Sequence, residues 1–179
     1  MIQAIKLLVG SKVIGEALTW AYPAGKAHGI FWIPTYQLTV TGNNSTATFE
    51  VIRFGIQCKT SKSSPVIVGL SQNQNHVIKA WLPNYSVHSA HSKEMGAWQV
   101  YDNFLIHDGP DDPKSEVYAS IGGIEICNGP EGFDLFNDTL INMAKPKSSG
   151  RNDKLIEIAN SKQLSIEYLA ASRPPLKKV

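Results

Sequence analysis

The chain has 179 residues, the size of one compact domain, and its 42% hydrophobic and 18% charged residues argue for a packed core and against whole-chain disorder. Its 17 Lys and Arg against 15 Asp and Glu leave a formal charge of +2, which offers no electrostatic ground for a nucleic-acid partner. No apolar run approaches the roughly 20 residues of a membrane-spanning helix, so membrane insertion is not expected.

Residues 1–18 open with a short apolar stretch broken by Lys6 and Lys12, with no basic segment before it. That is a poor secretory signal, and the segment reads as a short helix or an ordered arm. An export route other than an ordinary signal peptide is expected if the protein acts outside the cytoplasm. Residues 19–172 read as the main domain and 173–179 as an extended tail. Gln37-Leu38-Thr39-Val40-Thr41 alternates, Gly42-Asn43-Asn44-Ser45 is a turn cluster, and 46–54 is β-branched and aromatic, which predicts a hairpin. Residues 65–70 read as a buried strand, 76–82 as another stopped by Pro83, and 98–107 as a strand run bent at Asp102-Asn103. Gly109-Pro110-Asp111-Asp112-Pro113 cannot continue a strand, and 124–127 is a short one.

The texture changes after Cys127. Pro130-Glu131 introduces Phe133, Phe136, Leu140 and Ile141 at helical spacing. A second helix carries Leu155, Ile156 and Ile158, with Asn152 or Asp153 as its cap, and 163–169 returns as a strand. Short strands followed by late helices predict a mainly β, α+β domain, antiparallel in character. Cys58 and Cys127 cannot form a disulfide framework, and free thiols are the simpler reading.

The stretch with chemical content is Ile106-His107-Asp108-Gly109-Pro110, then Tyr118-Ala119-Ser120-Ile121-Gly122-Gly123-Ile124-Glu125-Ile126-Cys127. A histidine at a strand end before a Gly/Pro loop is well placed for a general base. This stretch resembles the active-site motif of the L,D-transpeptidase (YkuD-type) family. Within that family it is closest to the branch of type VI secretion effectors with L,D-carboxypeptidase or transpeptidase activity. His107 matches the first histidine, and Ser120-Ile121-Gly122-Gly123-Ile124 matches the second block. Gly132-Phe133-Asp134-Leu135-Phe136-Asn137-Asp138 is similar to the same branch. The resemblance spans about residues 20–170, and its specific part is 98–142.

The resemblance implies a YkuD-like β-sandwich or barrel with two helices after the catalytic strand. It implies a cysteine peptidase acting between meso-diaminopimelate and D-Ala of the peptidoglycan tetrapeptide stem, with no cofactor. The implied role is an antibacterial effector in a rival cell's periplasm, with an immunity protein and a secretion-apparatus partner. His107 would be the base, Gly122 and Gly123 would frame an oxyanion site, and Ser120 would shape the loop. Asp108, Gly109, Ile121, Glu125, His88 and Trp98 would border the substrate, and Asp108 is better assigned to turn chemistry than to orienting His107.

Gly123 stands where the family has its nucleophilic cysteine, so the chain lacks the covalent step. Three accounts are open: an engineered change in an active enzyme, which is preferred; a natural binding-only relative; or transfer of the role to Cys127. Four residues of strand displace a side chain by about 13 Å, which counts against Cys127. His88 and His91 with His107 do not complete a known zinc spacing, so no metal is expected. Trp81, Tyr85 and Trp98 could wall a groove, with core packing expected for at least two.

Overall fold

The computed structural model describes residues 1–60, 62–86 and 95–179. The N-terminal segment is neither helix nor arm: it forms β1 (Ile5–Val9) and β2 (Gly15–Ala21). Ile5, Leu7 and Val9 are buried in strict alternation, so the period of two, not the short apolar run, decides its state. β3 (Gly25–Gly42) and β4 (Ser45–Ile52) make the expected hairpin. Asn43 and Asn44 both take positive φ, 46° and 59°, as a two-residue turn matched to strand twist requires.

β5 (Gly55–Gln57) and β6 (Val66–Val68) form a separate two-stranded ribbon. β6 is not the buried strand expected over 65–70, because Val66 is half-exposed and the ribbon has no further partner strand among the described residues. The expected strand at 76–82 is two strands, β7 (Gln74–Val77) and β8 (Ala80–Leu82). The break between them has a topological consequence. Ile78 N–H donates to Leu164 O at 2.9 Å, while Lys79 N–H donates to Gln99 O at 2.8 Å. Adjacent residues thus bond to opposite edges of the large sheet. β9 (Ala97–Tyr101) and β10 (Phe104–Asp108) follow as a hairpin bent at Asp102, φ 45°. β11 (Tyr118–Ala119) and β12 (Ile124–Ile126) precede α1 (Gly132–Ala144), α2 (Arg151–Ser161), β13 (Leu164–Tyr168) and β14 (Lys177–Lys178).

The main path runs β7-β13-β1-β3-β4-β12-β10-β9-β8 among the described residues. Because β7 and β8 are successive pieces of one run, the path returns on itself, and His76 stacks on Tyr101 at 5.0 Å across the join. Closure of this kind leaves few free edges. The sheet is mixed, not antiparallel throughout: β1 with β13, β10 with β12, and β2 with β11 are parallel. Residues 109–123 supply the crossover that the β10–β12 pair needs, on the order of a dozen residues or more.

The larger apolar cluster joins Leu7, Leu38, Val51, Trp98, Ile106 and Ile124 to Phe133, Phe136 and Leu140 of α1. The helix faces are those read from the sequence, but the capping differs. Pro130 lies before α1 rather than in its first turn, and α2 starts from Gly150 with no side-chain cap. Asn152 instead accepts the Trp81 indole N–H at 3.1 Å. Among the described residues no helix is long and apolar enough to cross a membrane.

Arg53, just beyond β4, is fully buried. Its guanidinium donates to Gly10 O and Leu70 O at 2.8 and 2.7 Å, and it lies over the rings of Tyr36, Phe54 and Tyr168 at 5.2–5.7 Å. Sequence reading passed over it, because nothing local marks an arginine as interior.

Candidate active site

β10 and β12 run parallel and adjacent, with Ile106 opposite Ile124 and His107 opposite Glu125. The isoleucines of these strands belong to the larger core. Alternation therefore turns His107 and Glu125 to the other face, where Cys127 joins a second cluster with Ala17, Phe31, Ile52, Ile56 and Cys58. The pairing sets Gly123, where the loop enters β12, beside Leu105 near the start of β10, and places His107 two residues further along, opposite Glu125.

His107 is 6% exposed, and its Nδ1 lies 2.8 Å from Asp108 O. A carbonyl only accepts, so Nδ1 carries the hydrogen and Nε2 is the basic nitrogen of the neutral ring. Asp108 thus orients the imidazole, but through its main chain. Turn chemistry is the preferred expectation for Asp108, and its main-chain carbonyl takes the orienting contact instead.

The 120–123 loop is held from several sides. Ser120 N–H donates to Thr19 Oγ1 at 3.2 Å, and Thr19 donates to Tyr118 O at 2.7 Å. Ile56 N–H donates to Ser120 O at 2.9 Å, and the Ser120 hydroxyl donates to Phe54 O at 3.2 Å. Gly122 has φ 96°, and a Cβ there would sit 2.9 Å from the Gly69 backbone. Neither Thr19 nor Phe54 carried a sequence signal, since both act from segments distant in the chain. A Cβ on Gly55 would fall 1.9 Å from Ser120 O. Gly55→Ala is expected to cost about 1–3 kcal/mol or more, because backbone has to move. Urea denaturation beside the parent chain measures it.

Position 123 is also closed. A Cβ there would lie 2.8 Å from Leu105 O. The strands as folded fit glycine and leave no room for the cysteine that the resemblance assigns to this position. A side chain at 123 requires β10 to shift.

Burial pushes the Glu125 carboxyl up to about 8; the Ser120 hydroxyl acts against the rise, and the charge of Asp108 adds to it. Burial also raises the Cys127 thiol well above its ordinary value, with Glu125 and Glu50 adding to the effect. Its Sγ points at Glu125 O, 3.5 Å away. A buried thiol of raised pKa surrounded by carboxylates is a poor nucleophile, which removes Cys127 as heir to the family role. Cys58 is buried too. Neither thiol is expected to react with Ellman's reagent in the native protein, and both should react in denaturant; prompt native-state labelling at 127 would reverse this reading.

The comparisons with known proteins add no relative. The chain matches no family model, no curated protein and no solved structure.

Of the residues expected to border a substrate, Ile121 is open to solvent at 41%. Asp108, Gly109 and Glu125 are buried behind the loop. Gly109 packs so closely that a Cβ would meet Glu125 Cβ and Ile126 O at 2.9 Å. Trp98 is not a groove residue: it is 0% exposed, donates its indole N–H to Asn137 Oδ1 at 2.8 Å, and packs on Trp81. Its apolar area and paired N–H are worth more inside the core than at a wet surface. His88 and His91 lie outside the described residues. Among the described residues no three His, Cys, Asp or Glu side chains group to hold a metal ion.

Proposed function

We propose that this chain is a β-rich relative of the L,D-transpeptidase type that holds the peptidoglycan tetrapeptide stem and does not cleave it. What carries this reading is the parallel β10–β12 pairing, which sets an oriented imidazole opposite Glu125, two residues past the Ser120-Ile121-Gly122-Gly123 loop. In the family's chemistry the imidazole takes a proton from a cysteine at position 123. Glycine there leaves no thiol to ionise and no acyl-enzyme to form. The 2.8 Å approach of a Cβ to Leu105 O supports a glycine that belongs to the fold over one placed by engineering. His107 Nε2 then serves as a polar contact for the stem peptide. Delivery as an antibacterial effector, with an immunity protein as partner, is supported by the effector-branch resemblance alone.

The test is a pair of incubations with tetrapeptide muropeptides, followed by mass spectrometry and calorimetry. The parent chain is expected to bind without turnover, and Gly123→Cys is expected to release no tripeptide. Tripeptide from Gly123→Cys would establish an enzyme disabled at one residue. Failure of the parent chain to bind would remove the peptidoglycan assignment.

A further inference from the structure

The larger core ends partway along β3. Tyr36, Leu38 and Val40 lie on one face of the strand and belong to that core. Trp32 and Pro34 continue the same face and are only partly buried. β4 pairs with β3 from Thr35 onward and leaves the edge at Trp32 to the C-terminal segment. There Lys177 lies opposite Trp32 and Lys178 opposite Phe31, and Val179 N–H donates to Ile30 O at 2.9 Å. The segment is tied at two further points: Arg173 donates to Ile67 O at 2.9 Å, and Lys177 pairs with Glu16 at 2.8 Å. Held in this way, the segment and the strand enclose a cavity of about 300 Å³, lined by Trp32, Pro34 and Tyr36 of β3 and by Pro174 and Pro175 of the tail.

That volume suits a small ligand, and walls of aromatic and proline rings suit a planar apolar body. The charges select the head group. Glu16 and Lys177 also line the cavity and neutralise each other. Arg173 lines it too, is exposed, and has no carboxylate within ion-pair distance among the described residues. Behind the wall, the Arg53 guanidinium stands 5.4 Å from the centre of the Tyr36 ring. Its charge is met by carbonyls and rings, with no acid paired to it among the described residues, and its Nε has no hydrogen-bond partner. Two cations without a paired acid, one at the cavity and one beneath its wall, give an apolar space a field that favours a negative ligand.

We propose that the cavity between β3 and the C-terminal segment binds a small aromatic carboxylate, its ring held among Trp32, Tyr36 and the tail prolines and its carboxylate directed to Arg173. None of the lining residues belongs to β10, β12 or the 120–123 loop, so this site stands apart from the stem-peptide reading.

The experiment titrates the full chain by NMR with 2-naphthoate and with 2-naphthamide, which share a ring system and differ in charge, at neutral pH and low salt. Both are expected to shift the Val13 amide and the Trp32 indole N–H, since both residues line the cavity. Naphthoate should bind roughly fivefold tighter than the amide, and molar salt should erase that margin. Arg173→Gln keeps a donor and removes the charge; it should bring naphthoate down to the level of naphthamide and leave naphthamide unchanged. Val13 is 53% exposed at the cavity, so charges placed there leave the core intact. Val13→Lys should raise naphthoate affinity roughly twofold and Val13→Glu should lower it as much, again without effect on naphthamide. Trp32→Leu removes the aromatic wall and should weaken both ligands roughly fivefold; should it fail to fold, the Arg173 and Val13 variants decide alone. Equal affinity for the two probes, shifts that gather away from Val13 and Trp32, an Arg173→Gln chain that keeps the parent's preference, or no binding of either probe overturns the proposal.

Discussion

Between about pH 5 and pH 9 the protein is expected to lose about 4 kcal/mol of folding stability through Glu125 alone. The carboxyl titrates at about 8 in the fold against an ordinary value of 4.5. Across that window the native state holds a proton that the unfolded chain has released, so stability falls as pH rises. The contribution is complete below 4.5 and gone above 8. The carboxylates whose pKa is lowered, Asp112, Glu157 and Glu167, act in the opposite sense and in more acidic solution. Chemical denaturation of the parent and of Glu125→Gln at matched pH isolates the effect. The variant should be close to the parent at pH 5 and clearly more stable at pH 9. Parallel stability curves for the two chains would show that Glu125 is ionised in the fold.

Arg53→Ala is expected to cost about 3–5 kcal/mol, from two orphaned carbonyls and the cavity left behind. The guanidinium joins the Gly10 and Leu70 segments through their main chains. Its charge is met by those carbonyl dipoles and by the faces of Tyr36, Phe54 and Tyr168. Burial lowers its pKa, and the two tyrosines act against the fall. Arg53→Lys should recover little, since one ammonium cannot reproduce a planar fork that reaches two acceptors. Arg53→Met restores much of the volume and so separates packing from hydrogen bonding. At roughly 2–4 °C per kcal/mol for a chain of this size, the alanine variant should melt about 10 °C below the parent. A loss under about 1 kcal/mol would mean that water replaces the guanidinium at both carbonyls.

The β3–β4 hairpin was legible because its turn chemistry lies within four consecutive residues, Gly42-Asn43-Asn44-Ser45. The buried faces of α1 and α2 were legible for the same reason, since helical spacing is a local property. β1 was misread although its alternation was present, because a short apolar N-terminal run suits more than one structure until a sheet receives it between β13 and β3. The break between β7 and β8 was hidden because its cause is the pairing of Ile78 and Lys79 with opposite sheet edges.

At the site, the sequence by itself determined the residue types: a histidine closing one strand, a serine and paired glycines opening another, and no thiol at 123. Tertiary structure decided their relations. It set His107 against Glu125, took Trp98 into the core, closed the space at Gly123 against Leu105, and surrounded Cys127 with carboxylates. Turns and periodic patterns follow from forces between near neighbours in the chain. Desolvation and the close approach of backbones depend on groups that only the completed fold brings together.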